Sequence, residues 1–131
     1  MDTWRWWDIL KDSKKNAEIE GVAGRVEFKK ADGRDIPYPD NCFDIVVASF
    51  VLHMIYKNRG AAFKEMIRVL KPGGKFAMIE PPGGYKWGIN EDLKRKLENS
   101  GLKNVKFVPM MISYPKKRNV YIIYGEKEGK K

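Results

Sequence analysis

The sequence predicts an α/β domain: a mostly parallel sheet ending in an antiparallel strand pair, with helices on both faces. Three observations lead there. The β-branched apolar run FDIVVAS, residues 43–49, reads as a strand covered on both faces. Phe63, Met66, Ile67 and Leu70 then recur at i, i+3, i+4 and i+7, the stripe of a helix lying on a sheet. Further on, strands and helices keep alternating, which implies right-handed crossovers between parallel strands.

In chain order, residues 7–20 form the first expected helix. Trp7, Leu10, Ala17 and Ile19 are its apolar positions, Gly21 is its stop, and GVAG is the loop. RVEFKK, residues 25–30, alternates apolar and polar as a short strand does. DIPYPDNC, residues 35–42, is a turn cluster, since two prolines and an Asp-Asn pair do not suit a regular element. After the strand at 43–49, a helix over 58–70 is stopped by Lys71-Pro72-Gly73-Gly74, and KFAMIE at 75–80 is the next strand. Asn90 caps a helix with Glu91 and Asp92 in its first turn, where the helix dipole favours acids, and Ser100-Gly101 ends it. Two last strands are expected at 105–108 and 120–124. One domain then spans residues 1–125, and 126–131 (EKEGKK) is a charged tail.

Composition narrows the function classes. At 131 residues, 43% hydrophobic and 33% charged, the chain supports a single core and is not a disordered segment. Cys42 is the only cysteine, which excludes an internal disulfide and a Cys-rich metal site. The start MDTWRWWDILKDSKK lacks the basic-then-apolar order of a secretory leader, and no run is long enough to span a bilayer. These features fit a reducing cytoplasm and no membrane partner. The net charge of +9 makes nucleic acid a partner to consider. The basic residues are spread along the chain, however, without an RNP-like, zinc-finger or helix-turn-helix signature, as on a solvated Lys-rich surface.

In a parallel sheet the ligand lies beyond the carboxyl ends of the strands. That rule brings Ala31-Asp32-Gly33, residues 49–53 and residues 80–84 to one rim. An acid after a strand (ADG at 31–33), the turn and strand IPYPDNCFDIVV, and the turn RVLKPGG occur in this order over residues 21–80. Together they resemble the middle and end of a class I S-adenosylmethionine-dependent methyltransferase of the UbiE-like group. The resemblance implies a Rossmann-like fold, truncated at its N-terminus. The family's glycine-rich D-x-G-x-G-x-G loop would precede Asp2, and neither Gly73-Gly74 nor Gly83-Gly84 has the strand-glycine-helix context to replace it.

The resemblance also implies the site. Asp2 matches the acid that pairs with the cofactor's ribose hydroxyls, a task suited to a carboxylate that accepts two hydrogen bonds. Asp32 matches the acid that accepts from the adenine amino group, and Gly33 the position whose N–H faces the ring. Ser49 and Phe50 match the loop beside the methionine end and the methyl acceptor. Asp2 equally suits a helix start, and Asp32 a turn before glycine. The implied function is methyl transfer from S-adenosylmethionine to a small-molecule acceptor. Positioning supplies most of the acceleration of such an in-line displacement, so no catalytic side chain is assigned.

Two other functions compete. One is a non-catalytic remnant or interaction subunit, completed by self-association or by a partner chain; the exposed flank of residues 43–49 is expected to be covered either by residues 25–30 moving in or by a homodimer. The other is a basic RNA-binding accessory module. Asp44 reads as structural, and His53, the one histidine, either as a structural imidazole or as a general base. Cys42 reads as unreactive, and Glu80 either as an acceptor contact or as a cap on the Pro81-Pro82 loop. Trp4, Trp6 and Trp7 fill a core or an interface, or stack on a flat acceptor.

Overall fold

A computed structural model describes residues 3–55, 57–84, 87–113 and 116–129, with the backbone alone for residues 3–9, 84 and 87. Asp2 and the side chains of Trp4, Trp6 and Trp7 lie outside what is described. The chain divides into two compact units, Met1–Asp32 and Gly33–Lys131.

Helix α1 (Thr3–Ile19) fills most of the first unit and begins earlier than its apolar spacing suggests. A 3-10 turn, Ala23–Arg25, follows it. The expected strand at residues 25–30 is not formed: Arg25 belongs to that turn, and residues 26–30 enter no ladder. An alternating segment becomes a strand only where a neighbouring strand takes up its backbone groups. Within the described residues of this unit there is none, and Val26 stays 41% exposed.

The second unit carries the sheet. Its elements are β1 (Phe43–Ser49), a 3-10 turn (Leu52–Met54), α2 (Arg59–Val69), β2 (Leu70–Glu80), the short strands β3 (Gly83–Gly84) and β4 (Trp87–Gly88), α3 (Glu91–Asn99), β5 (Leu102–Ile112) and β6 (Arg118–Lys127). Four strands form one sheet in the order β1-β2-β6-β5. The β1–β2 pair is parallel with α2 as its crossover, and β2–β6 and β5–β6 are antiparallel. The crossover and the closing antiparallel pair are therefore both present. Among the described residues the parallel part is limited to β1–β2, because residues 25–30 do not join the sheet.

KPGG does more than stop α2. Phe43 pairs with Leu70 and Ile45 with Lys75, so residues 71–74 bulge out of β2. A Cβ at Gly74 would lie 2.6 Å from Leu70 Cδ1, 2.8 Å from Lys71 O and 2.9 Å from Asp44 O, so only glycine fits there. Asn90 caps α3 as expected, its Oδ1 accepting from Leu93 N at 3.0 Å.

The core lies on one face of the sheet. Phe63, Met66 and Ile67 of α2 and Leu93 and Leu97 of α3 share a single cluster with Phe76, Met78 and Ile123. Val46 and Ala48 point into it from β1. Their neighbours Ile45 and Val47, on the opposite face, are 64% and 71% exposed, so β1 is not covered on both faces as its composition suggests. The ordered chain also continues past residue 125. Glu126 pairs with Lys75 at 2.6 Å, and Lys127 Nζ donates to Leu70 O at 2.7 Å and Asn41 Oδ1 at 2.9 Å. Burial lowers the Lys127 ammonium from its ordinary range, as suits a side chain inside the fold rather than a tail.

Candidate active-site rim

The parallel pair fixes where β1 ends. Ser49 is its last residue, exposed, in register with Ile79, and Phe50 N donates to Ile79 O at 2.8 Å. The chain then turns sharply. Phe50 takes a left-handed backbone conformation, φ +55°, unusual for a bulky residue and a mark of local constraint. Its ring lies under the Arg118 guanidinium, 4.7 Å from the centroid, and meets the His53 ring edge-on with centroids 6.3 Å apart.

Glu80, the last residue of β2, organises this corner from below. It is fully buried. Its Oε1 accepts from Leu52 N at 2.8 Å and Val51 N at 3.2 Å, while its Oε2 accepts a long bond from His53 N at 3.4 Å. These are the free N–H groups at the start of the Leu52–Met54 turn, so the carboxylate acts as that turn's cap from across the sheet. The same Oε2 is 2.7 Å from His53 Nδ1. Arg59 closes the turn's other end, donating from Nε to Leu52 O at 2.8 Å and from Nη2 to His53 O at 3.3 Å. Neither reading offered for Glu80, acceptor contact or cap on the following proline loop, describes this role. The available signal was an acid closing an otherwise apolar strand.

A second polar cluster holds the turn that leads into β1. Arg68 donates to Glu65 from Nε (2.8 Å) and Nη2 (2.9 Å), to Asp40 from Nη1 (2.8 Å) and to Ile36 O from Nη2 (2.8 Å). Glu65 Oε2 accepts in return from Ile36 N at 2.8 Å. The Arg68 hydrogen bond first, and that backbone donor second, hold the Glu65 carboxyl below its usual range. Glu65 first, and Asp40 second, in turn push the guanidinium further up. The turn cluster and the RVLKPGG helix end, both recognised as motifs, are thus a single bonded assembly.

Of the expected site residues, the structure brings Ser49 and Phe50 together with His53 and Glu80. Gly33 opens the second unit; a Cβ there would be 3.8 Å from Ile55 Cδ1, an ordinary contact, so packing against Ile55 does not require glycine. Asp32 closes the first unit and is described with it. Asp44 is an exposed surface carboxylate 3.2 Å from Lys71 Nζ. Cys42 is partly buried and its N–H donates to Val69 O at 2.7 Å. Two clefts lie elsewhere among the described residues. One, about 630 Å³, is lined by Arg59, Phe63, Asn90, Leu93 and Lys96, and the other, about 500 Å³, by Lys75, Lys106 and Tyr124. At the rim itself Ser49 is exposed, and the Phe50 ring lies between Arg118 and His53.

Comparison with known proteins places this architecture. A family model described as "Methyltransferase domain" matches residues 7–78, more than half of the chain. The ubiquinone/menaquinone biosynthesis C-methyltransferase UbiE of Pseudomonas putida is 42% identical over 72 residues, which are 55% of this chain and 28% of that protein's length. Among solved structures, the [4+2]-cyclase SpnF has a TM-score of 0.69 at 21% identity, over 89% of this chain and 62% of that one. A phosphoethanolamine N-methyltransferase of Haemonchus contortus, in complex with S-adenosylhomocysteine, has a TM-score of 0.68 at 14% identity, over 88% of this chain and 40% of its own. The chain belongs to the class I S-adenosylmethionine-dependent methyltransferases. Its matched segment spans little more than a quarter of the length of the curated relatives.

Proposed function

We propose that this chain binds S-adenosylmethionine and takes part in methyl transfer to a small-molecule acceptor. The observation that carries the reading is the coincidence of the family match over residues 7–78 with a polar, strained rim after β1, where this fold exposes strand ends. Asp32 and Gly33 would hold the adenine side, Asp2 the ribose hydroxyls, and Ser49 and Phe50 the methionine end and the acceptor. When bound, the cofactor supplies an activated methyl group, and the chain's own contribution is to bind and orient. A cytoplasmic location belongs to this reading, supported by the lone Cys42. Among the described residues no helix is long and apolar enough to cross a membrane. Titration calorimetry with S-adenosylmethionine tests the proposal: a Kd below about 100 μM, near −5.5 kcal/mol, supports it, and the absence of heat at millimolar ligand refutes it.

One observation favours an additional reading, a homodimer. Among the described residues strand β1 pairs only with β2, and Ile45 and Val47 are largely exposed beside that edge. Two copies pairing through β1 would satisfy both the backbone and the apolar surface. Light scattering behind size exclusion gives twice the chain mass if so; a monomer at tens of micromolar removes the idea.

A further inference from the structure

The rim carries a positive charge that neither the fold's own bonds nor the cofactor contacts proposed above use. Strands β2 and β6 run antiparallel with Glu80 opposite Tyr121, so the residues before Tyr121 continue past the end of β2, at the rim. Arg118, the first residue of β6, lies there in register with Ile112. It is exposed, and its guanidinium sits over the Phe50 ring, 4.7 Å from the centroid. Among the described residues that guanidinium makes no hydrogen bond and no ion pair. Two other arginines of this unit are engaged: Arg68 holds Glu65, Asp40 and Ile36 O, and Arg59 holds Leu52 O and His53 O. Lys116 and Lys117 precede Arg118 and are exposed as well. The one acid in residues 49–53, 80–84 and 112–118 is Glu80, which is buried and already accepts from the Leu52–Met54 turn. The exposed charge of these segments is therefore positive.

Phe50 makes this arginine more than a surface charge. Its φ of +55° is accompanied by the bond from its N–H to Ile79 O, and such a conformation persists only where the surroundings fix it. A guanidinium resting on an aromatic face keeps its N–H donors for a ligand and has less side-chain freedom left to lose on binding. Its planar fork matches the paired oxygens of a carboxylate or a phosphate, which a lysine ammonium does not. We propose that Arg118, supported by Phe50, is an anion-recognition residue of the rim, and that the methyl acceptor carries a carboxylate or phosphate group apart from the atom that is methylated. The inference rests on the methyltransferase reading for its acceptor and narrows that acceptor from any small molecule to an oxyanion. Lys116 and Lys117 add a longer-range attraction that salt screens.

Nitrogen-15 NMR of the full chain, titrated with benzoate and separately with phenyl phosphate, tests the assignment. Saturable shifts are expected at the Arg118 Nε–H and the Phe50 amide. Benzyl alcohol, a neutral analogue, is expected to bind at least about tenfold more weakly, the scale of one charge-assisted hydrogen bond. Arg118→Gln is expected to weaken the anions by a similar factor, with the rest of the amide spectrum unchanged because the residue is exposed. Arg118→Lys keeps the charge without the fork and is expected to fall between the two. The tighter of the two anions identifies the group the rim selects. Anion binding that Arg118→Gln leaves intact overturns the proposal, as do full affinity in Arg118→Lys, shifts confined to residues away from the rim, or no saturable shift at millimolar anion. A variant Arg118→Gln that loses S-adenosylmethionine affinity but keeps benzoate and phenyl phosphate overturns it too, since the arginine would then serve the cofactor's own carboxylate. Should the anion results hold while calorimetry finds no cofactor binding, the Arg118 subsite stands and the methyl-transfer reading falls.

Discussion

Glu80 is the residue on which the rim depends most heavily. Truncating it to alanine would leave three backbone N–H groups and the His53 ring without their shared acceptor. Unsatisfied buried donors are costly, so Glu80→Ala is expected to destabilise the fold by about 3 kcal/mol in chemical denaturation. An effect below about 0.5 kcal/mol, the size usual for surface positions, would mean that water replaces the carboxylate. Glu65 gives a pH signature instead. Its carboxyl is held below the ordinary value of 4.5 in the folded chain, so the unfolded chain takes up this proton first on acidification. The associated stability is therefore complete above 4.5 and is lost as pH falls through the lower folded value. Glu65→Gln is expected to flatten that part of the stability-against-pH curve; an unchanged acid limb would place the dependence on other carboxylates.

Among the elements, the bulge between β1 and β2 and the cap of α3 make separable predictions. Gly74→Ala forces a Cβ against two backbone carbonyls, which cannot yield as a side-chain tip would, so a loss of about 2 kcal/mol is expected from thermal or denaturant unfolding. Asn90→Ala removes one cap bond and is expected to cost about 1 kcal/mol, with faster amide exchange confined to the first turn of α3. These elements were also the most legible in the sequence. FDIVVAS, the Phe63-Met66-Ile67 stripe and the Asn90 cap each carry their own local signal and formed where expected, whereas Leu70, read as the stripe's last position, begins β2. RVEFKK failed because a strand's existence depends on a partner, which a six-residue pattern does not contain. Residues 102–104, 109–112, 118–119 and 125–127 were missed as strand because their pairing is set by neighbouring strands rather than by their own composition. The rim was half legible: Ser49 and Phe50 follow from the strand's end, but the Glu80–His53 contact joins positions 27 residues apart, and no spacing rule reaches across a crossover.

For the molecule as a whole, the question is whether the fold present here suffices to hold the cofactor. The net charge of +9 neither helps nor hinders that decision. It favours anionic ligands at low salt and is screened over about 8 Å at physiological ionic strength. What matters is whether Asp32, Gly33, Ser49 and Phe50 act on one ligand. Titration calorimetry of the parent chain and of Asp32→Ala with S-adenosylmethionine addresses this directly. The account predicts saturable binding by the parent at or below about 100 μM, weakened at least tenfold by Asp32→Ala, a loss of about 1.4 kcal/mol. Equal affinity in the two proteins, or no binding by either at millimolar ligand, would contradict it.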